Sequence, residues 1–446
     1  MNKKPNVLLI ISDQWSARIS DGSGDYETGL QTPAVDRLAA EGARFTNSYS
    51  SYPLCGPARA SMFTGLMPHK HGLTHNQESF VHADGALPTR DDVATMGEAF
   101  KEAGYKTAYF GKEHAGEYGW AGMDEFGSYK NTGGGWIGDG ACYDPVFTRD
   151  AVDYLRQDHD QPFYMVLSLI NPHDICIAMG GVMNGHSIAD ALSFCRPETP
   201  YNRNPYYLRD QPRPGVPSNH EVPAIPGMLN PHAHYADAFD EWTQDDWERY
   251  VATYCLLVEN TDAYIGHVLD ALREQGLEDD TLVVFTTDHG EMLGSHRWIS
   301  KDIFYEESAR TPLIVRHRDK IAPGTVNTDA LVGTIDLMPT ILDLAGVPIP
   351  SGLDGRSFKA QCHGEENGDF KELFSVNMDG RMVRFGPYKY VRSEYDSEAY
   401  EVLFDLDADP EEATNVFGQP GYESVSAQAR QRLDEWLEQE GLGVAF

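Results

Sequence analysis

The sequence is short of cysteine, of positive charge and of long apolar runs. It holds six cysteines in 446 residues, and none forms a C-x-x-C pair or stands at zinc-ligand spacing. A disulfide framework and a cysteine-built zinc centre are therefore excluded. Cys142, Cys176, Cys195, Cys255 and Cys362 read as small buried hydrophobes, reduced in a cytoplasmic setting. Lysine and arginine number 35 against 69 acidic residues, a net charge of −34. That balance excludes nonspecific binding to nucleic acid or an anionic membrane, and an anionic ligand would need a locally positive pocket. No stretch approaches the ~20 apolar residues of a membrane span. The run Val7 to Ile11 is too short for a secretory core and precedes no small-residue cleavage site. The sequence thus predicts a cytoplasmic protein, or a periplasmic one if a leader has been removed. Internal repeats and low-complexity tracts are also missing.

Four short apolar runs share one pattern. Asn6 to Ser12 ends in Asp13-Gln14, Tyr105 to Phe110 in Gly111-Lys112-Glu113-His114, Phe163 to Ile170 in Asn171-Pro172-His173-Asp174, and Thr281 to Thr287 in Asp288-His289-Gly290. Continuous apolar runs of this length predict strands buried on both faces, as in parallel sheets. Helical patterns lie between them. Thr32 to Glu41 opens with a capping threonine and Pro33, Met96 to Ala103 precedes Gly104, and Trp247 to Leu272 is long and amphipathic. Strand–helix alternation predicts an α/β fold with a mostly parallel central sheet flanked by helices. Ligands of such sheets bind beyond the carboxyl ends of the strands, where all four polar clusters fall.

Length alone suggests about three domains of ~150 residues, a prior that large α/β folds often break. The pattern here predicts two parts: a main domain over 1–350 and a smaller subdomain over 351–446. Residues 196–231 hold nine of the 26 prolines, with Arg196, Arg203, Arg209 and Arg213 interspersed. This segment suggests a loop on the substrate side, with His232 and His234 following it. After residue 350, Phe374–Val376, Met382–Phe385, Tyr388–Val391 and Glu401–Phe404 predict short strands, and Ser426 to Glu440 a helix. Together they predict an antiparallel sheet with a C-terminal helix.

Cys55 differs from the other cysteines. It stands in Leu54-Cys55-Gly56-Pro57-Ala58-Arg59, with Met62, Phe63 and Leu66 following at helical spacing. Pro57 suits a first helical position. Cys55 then lies at the positive end of a helix dipole, with Arg59 about one turn on, a setting for chemistry on an anion. Asp13, Gln14, Asp288 and His289 pair up at two strand ends as metal ligands. Their carboxylate and amide oxygens suit calcium or magnesium, and the imidazole widens the choice to manganese. Lys112, His114, His173 and Lys301 supply cations and proton donors for a transferring anionic group.

Taken together these residues resemble the type I sulfatases of the alkaline-phosphatase superfamily. Cys55-Gly56-Pro57-Ala58-Arg59 matches the C-x-P-x-R signature. Gly111-Lys112-Glu113-His114, Asn171-Pro172-His173, Thr287-Asp288-His289-Gly290, Lys301 and the closing Leu403 to Glu411 match in order along nearly the whole chain. The resemblance implies an alkaline-phosphatase-like fold and conversion of Cys55 to formylglycine by a formylglycine-generating enzyme. It implies that the hydrated aldehyde attacks sulfur with one hydroxyl and expels sulfate with the second, a route closed to a thiol. It also implies roles. Arg59 stabilises the modified residue, Lys112 binds sulfate or that residue's hydroxyl, His114 assists sulfate expulsion, and His173 and Lys301 contact sulfate. Asp13, Gln14, residue 55, Asp288 and His289 hold the metal, calcium first, with manganese or magnesium as alternatives.

One departure stands out. Many sulfatases use Asp-Asp and Asp-Asn pairs, whereas this chain has Asp13-Gln14 and Asp288-His289, a pattern similar to the phosphonate monoester hydrolase branch. Trp298 to Glu307, around Lys301, resembles bacterial sulfatases of carbohydrates and choline. The implied substrate is a sulfated small molecule or oligosaccharide, such as a glycosaminoglycan or algal saccharide cut in an exo manner. A phosphonate monoester or phosphodiester, a choline sulfate or an aryl sulfate are the alternatives. A metal-binding scaffold whose Cys55 stays a thiol is a remote one.

Overall fold

The apolar runs do become strands. The computed structural model describes residues 4–20, 29–76, 92–127, 139–177, 182, 215–228, 239, 241–365, 368, 370–395 and 398–443. The strands are β1 (Asn6–Asp13), β2 (Ala43–Tyr49), β3 (Lys106–Gly111), β4 (Glu125–Phe126), β5 (Phe163–Pro172), β6 (Thr281–Thr287), β7 (Arg310–Arg316), β8 (Thr325–Asn327) and β9 (Val332–Gly333). They form one sheet in the order β4-β3-β5-β1-β6-β7-β2-β8, with β9 also paired to β2. The four predicted strands β3, β5, β1 and β6 are neighbours and parallel. β7 runs antiparallel to both of its neighbours, so the sheet is mostly parallel. The sequence reading missed β2 and β7, whose apolar residues are interrupted by Asn47 and Ser48 or flanked by Arg310 and Arg316.

Alternation explains why the central strands are apolar throughout. Val7, Leu9 and Ile11 of β1 enter one core with Val166, Val284 and Leu313. Leu8 and Ile10 enter the opposite core with Met165, Leu167, Val283 and Phe285. All eight residues of β1 are buried, because helices cover both faces. Helices Asp139–Leu155 and Gln244–Glu274 cover one face. Helices Cys55–Thr64, Met96–Glu102 and Leu337–Ala345 cover the other. Among the described residues, no helix is long and apolar enough to cross a membrane.

Two helix starts differ from their predicted form. Thr32 makes no capping bond to helix Pro33–Glu41. The carboxylate of Asp262, on the long helix, takes that role by accepting from Ala34 N at 3.0 Å and Val35 N at 2.8 Å. The long helix begins at Gln244, ahead of the predicted Trp247, because Thr243 and Asp246 form a capping box.

The C-terminal part follows prediction. β10 (Glu372–Val376), β11 (Gly380–Phe385), β12 (Tyr388–Tyr395) and β13 (Glu398–Asp405) form an antiparallel meander. Met382, Val391, Val402 and Phe404 pack toward the main body against Phe304 and Tyr305. Val383, Tyr390 and Leu403 face Ala429, Leu433 and Leu437 of helix Glu423–Glu440. Phe358 and Cys362 pack in the main body's core, ahead of this sheet.

A buried ion cluster joins the two parts. Lys389 of β12 is wholly enclosed and pairs with Glu306 at 2.9 Å and with Glu412. Burial opposes ionisation of Glu306, but Lys389, Arg310 and Arg384 outweigh it and pull its pKa down to about 2. Removing one partner of a buried pair leaves an uncompensated charge, so Lys389→Ala should cost about 3–5 kcal/mol in denaturant unfolding. Because the folded pKa of Glu306 is depressed, its contribution is complete above the ordinary value of 4.5 and is lost as pH falls toward about 2. The stability gap between wild type and Lys389→Ala should therefore narrow across that window.

Candidate active site

The four strand-end clusters converge. Asp13 is the last residue of β1 and Gln14 follows with a left-handed φ of 69°. Asp288 and His289 follow β6, and Lys112 and His114 follow β3. His173 follows β5, and Lys301 arrives on the loop after β6. Gly111 and Gly290 let the chain turn in such close quarters. Gly111 has a φ of 123°, and a Cβ there would lie 1.8 Å from the Ser168 carbonyl oxygen, while one on Gly290 would lie 1.9 Å from that of Glu307.

Cys55 is the first residue of helix Cys55–Thr64, all ten residues of which are buried. Pro57 is thus third in the helix, a correction to its predicted first place. The position still tolerates it, because the first four N–H groups have no intrahelical partner. Leu54 gives no side-chain cap, and Asn76 Oδ1 accepts from Gly56 N at 2.9 Å.

Arg59 lies at the centre. Its Nε donates to Asp288 Oδ2 at 2.7 Å and its terminal nitrogens to Asp13 Oδ2 at 3.0 Å, Ser168 Oγ at 2.7 Å and the Lys112 carbonyl at 3.1 Å. Lys112 Nζ sits 2.7 Å from the same Asp13 oxygen. The Cys55 sulfur lies 3.8 Å from Asp13 Oδ1 and 3.1 Å from His289 Nε2. His289 Nδ1 faces the Gly290 carbonyl at 2.9 Å. That carbonyl must accept the Nδ1 proton, which leaves Nε2 to face Cys55 and Asp288.

Electrostatics follow from this crowding. Burial raises Asp13, but Lys112, His173, Arg59 and Lys301 together hold its carboxyl well below the usual range. Burial, and then Asp13, push Asp288 up to about 6. Burial and Asp13 oppose ionisation of Cys55, yet Lys112, Lys301 and His289 hold it well below the ordinary thiol range. Burial, Lys112 and Lys301 push His173 down to about 3. Burial and Lys112 likewise lower His114. The pocket therefore favours an anion at position 55, beside two neutral imidazoles.

Asp13, Cys55, Asp288 and His289 each offer one ligand atom, all within 4.8 Å of one another and all buried. A divalent cation fits this set, for it would relieve the repulsion between the two carboxylates. Gln14 is placed differently from those four. Its Nε2 donates to Glu291 Oε2, and its Oε1 accepts from Lys301 Nζ.

Several contributors escaped the sequence reading. Glu291, fully buried, also accepts from Tyr250 Oη at 2.9 Å and Ser300 N at 2.6 Å, fixing Gln14 and the loop that carries Lys301. Its signal was its place three residues after Asp288. Ser168 looked like one more member of an apolar run. Cys176 is buried as expected, yet its sulfur lies 3.4 Å from Gln14 Oε1 and 3.9 Å from Lys301 Nζ, so it lines the site. Cys142 is exposed, against its predicted burial, while Cys255 and Cys362 are buried. Cys195, the arginines of 196–213, His232 and His234 lie outside the described residues.

Residues 5–347 match the family described as sulfatase, and residues 294–439 the one described as N-sulphoglucosamine sulphohydrolase, C-terminal. A Delta 4,5-hexuronate-2-O-sulfatase of Bacteroides thetaiotaomicron is 29% identical, over 98% of this chain and 89% of its own length. The solved structure of a 2-O GAG sulfatase superposes with a TM-score of 0.82 at 27% identity, covering 99% of this chain and 95% of that one. The phosphonate monoester hydrolase of Agrobacterium radiobacter shares the fold, with a TM-score of 0.75 at 22% identity over 98% and 96%.

Stripping divalent cations and then adding calcium or manganese should raise the wild-type melting temperature in proportion to binding. Asp288→Asn should abolish most of that rise in a thermal-shift titration. An equal rise in both proteins would show that the cation binds elsewhere.

Proposed function

The chain belongs to the sulfatase family, and we propose that it removes sulfate from a carbohydrate, through formylglycine made from Cys55. The observation that carries this reading is the enclosed cationic pocket around position 55. In a chain of net charge −34, Lys112, Arg59 and Lys301 converge where an anion would sit. The named activities of the 2-O sulfatase relatives, on a hexuronate and on a glycosaminoglycan, support a sulfated saccharide of the glycosaminoglycan type over the algal alternative. The complete burial of Cys55 supports a sulfate at a chain end, and so exo action.

Asp13, Asp288, His289 and residue 55 would hold the metal, calcium first, with manganese or magnesium as alternatives, while Gln14, expected as a fifth ligand, turns its amide oxygen to Lys301. The metal would supply Lewis-acid stabilisation of sulfate oxygens when bound. Formylglycine, made by a dedicated maturation enzyme, supplies a pair of hydroxyls in place of one thiol. The chain's own residues do the rest. Lys112 and Lys301 take up negative charge on the sulfate oxygens. His173 stays neutral near neutral pH and hydrogen-bonds the leaving oxygen. His114, beside position 55, takes the hydroxyl proton as sulfate departs. Arg59 holds the two aspartates at their separation and stabilises residue 55.

The Gln14 and His289 pair favours one rival, a phosphonate monoester or phosphodiester hydrolase; choline and aryl sulfatases are nearer variants. Sulfate release from defined sulfated saccharides should exceed phosphonate monoester turnover by about 100-fold in kcat/KM, and Cys55→Ala should lose about 10³-fold. Faster phosphonate turnover would reverse the assignment. Mass spectrometry of the Cys55 peptide from the native host should show the aldehyde, and an unmodified thiol would sink the formylglycine step.

A further inference from the structure

Asp302 is an anomaly beside this site. It is 5% exposed, and its enclosed Oδ1 has no hydrogen-bond partner among the described residues. Buried carboxylates are ordinarily paired, because desolvation without a partner is costly. The cation next to it in the chain, Lys301, donates to Gln14 Oε1.

The backbone holds the residue firmly in this state. Asp302 N donates to the Pro53 carbonyl at 2.9 Å, two residues before Cys55. Asn377 Nδ2, from the turn between β10 and β11, donates to the Asp302 carbonyl at 2.9 Å. The φ of Asp302 is +73° and that of Ser300 is +76°, left-handed values that cost a non-glycine residue energy. Burial and the neighbouring Asp379 push the carboxyl well above its usual range, and His289, Lys301 and Cys55 are near enough to act on it. A strained, pinned carboxyl with an unpartnered oxygen, at the junction of the catalytic loop and the C-terminal sheet, is a group placed for a ligand.

We propose that Asp302 is a specificity-determining residue, hydrogen-bonding a hydroxyl of the saccharide close to its sulfate ester. A hydroxyl both donates and accepts, so it partners this carboxyl in either protonation state. The assignment rests on the carbohydrate reading above. A residue serving only the fold would support every substrate alike, so two substrates separate the roles.

The test compares wild type, Asp302→Ala and Asp302→Asn on a sulfated disaccharide and on 4-nitrophenyl sulfate, which has no hydroxyl. Asp302→Ala should lose about 10–100-fold in kcat/KM on the disaccharide, chiefly through KM, and less than about threefold on the aryl ester. Asp302→Asn, of the same shape, should keep more of the disaccharide rate, and it carries the test if the alanine variant fails to fold. Equal losses on both substrates, or an unchanged disaccharide rate, would overturn the assignment alone. A wild type that cleaves the aryl ester and no saccharide would overturn the carbohydrate reading, and this assignment with it.

Discussion

The structure turns on one buried guanidinium. Arg59 bridges Asp13 at the end of β1 and Asp288 after β6, and it also binds Ser168 of β5 and the Lys112 carbonyl after β3. Three strand ends, the body of β5 and one helix are thus referred to a single group. Burying such ions costs several kcal/mol each, which only good geometry and complete hydrogen bonding return. Each end of the arrangement holds the others in place. Remove the cation and two carboxylates face each other inside the protein.

The same constraint explains the chemistry of the pocket. Arg59 and Lys112 neutralise the aspartates locally, and Lys112 and Lys301 act together toward position 55. The acidic surface then becomes compatible with an anionic substrate, because the pocket's field is set at short range inside a low-dielectric shell. Glu291 extends this order outward. It holds Gln14 by its amide nitrogen, which obliges the amide oxygen to face Lys301. The C-terminal part approaches the loop of Lys301 through Asn377, in the turn between β10 and β11, which donates to the carbonyl of Asp302 beside that lysine.

Much of this was legible beforehand. Unbroken apolar runs announced the central strands, because burial on both faces removes polar alternation. The polar residues directly after those runs announced the site, because parallel strands put their carboxyl ends at one edge. Strands β2 and β7 were not legible, since near the sheet's margin polar and charged residues sit within or beside a short apolar stretch. The cap on helix Pro33–Glu41 was also hidden, because Asp262 lies 227 residues from Val35 and only packing brings them together.

Sequence alone singled out the candidate residues, since Cys55, Arg59, Lys112, His114, His173, Lys301 and the two expected ligand pairs are each tied to a local motif or a strand end. Tertiary structure decided what each of them touches. Arg59 lies between two carboxylates, Cys176 lines the pocket instead of filling a core, and the enclosed Oδ1 of Asp302 stands without a partner. The physical reason is range. Periodicity and capping act over a few residues and leave a mark on neighbouring letters. Ion pairing and desolvation act across hundreds of residues, and they exist only once the sheet has brought its strand ends together.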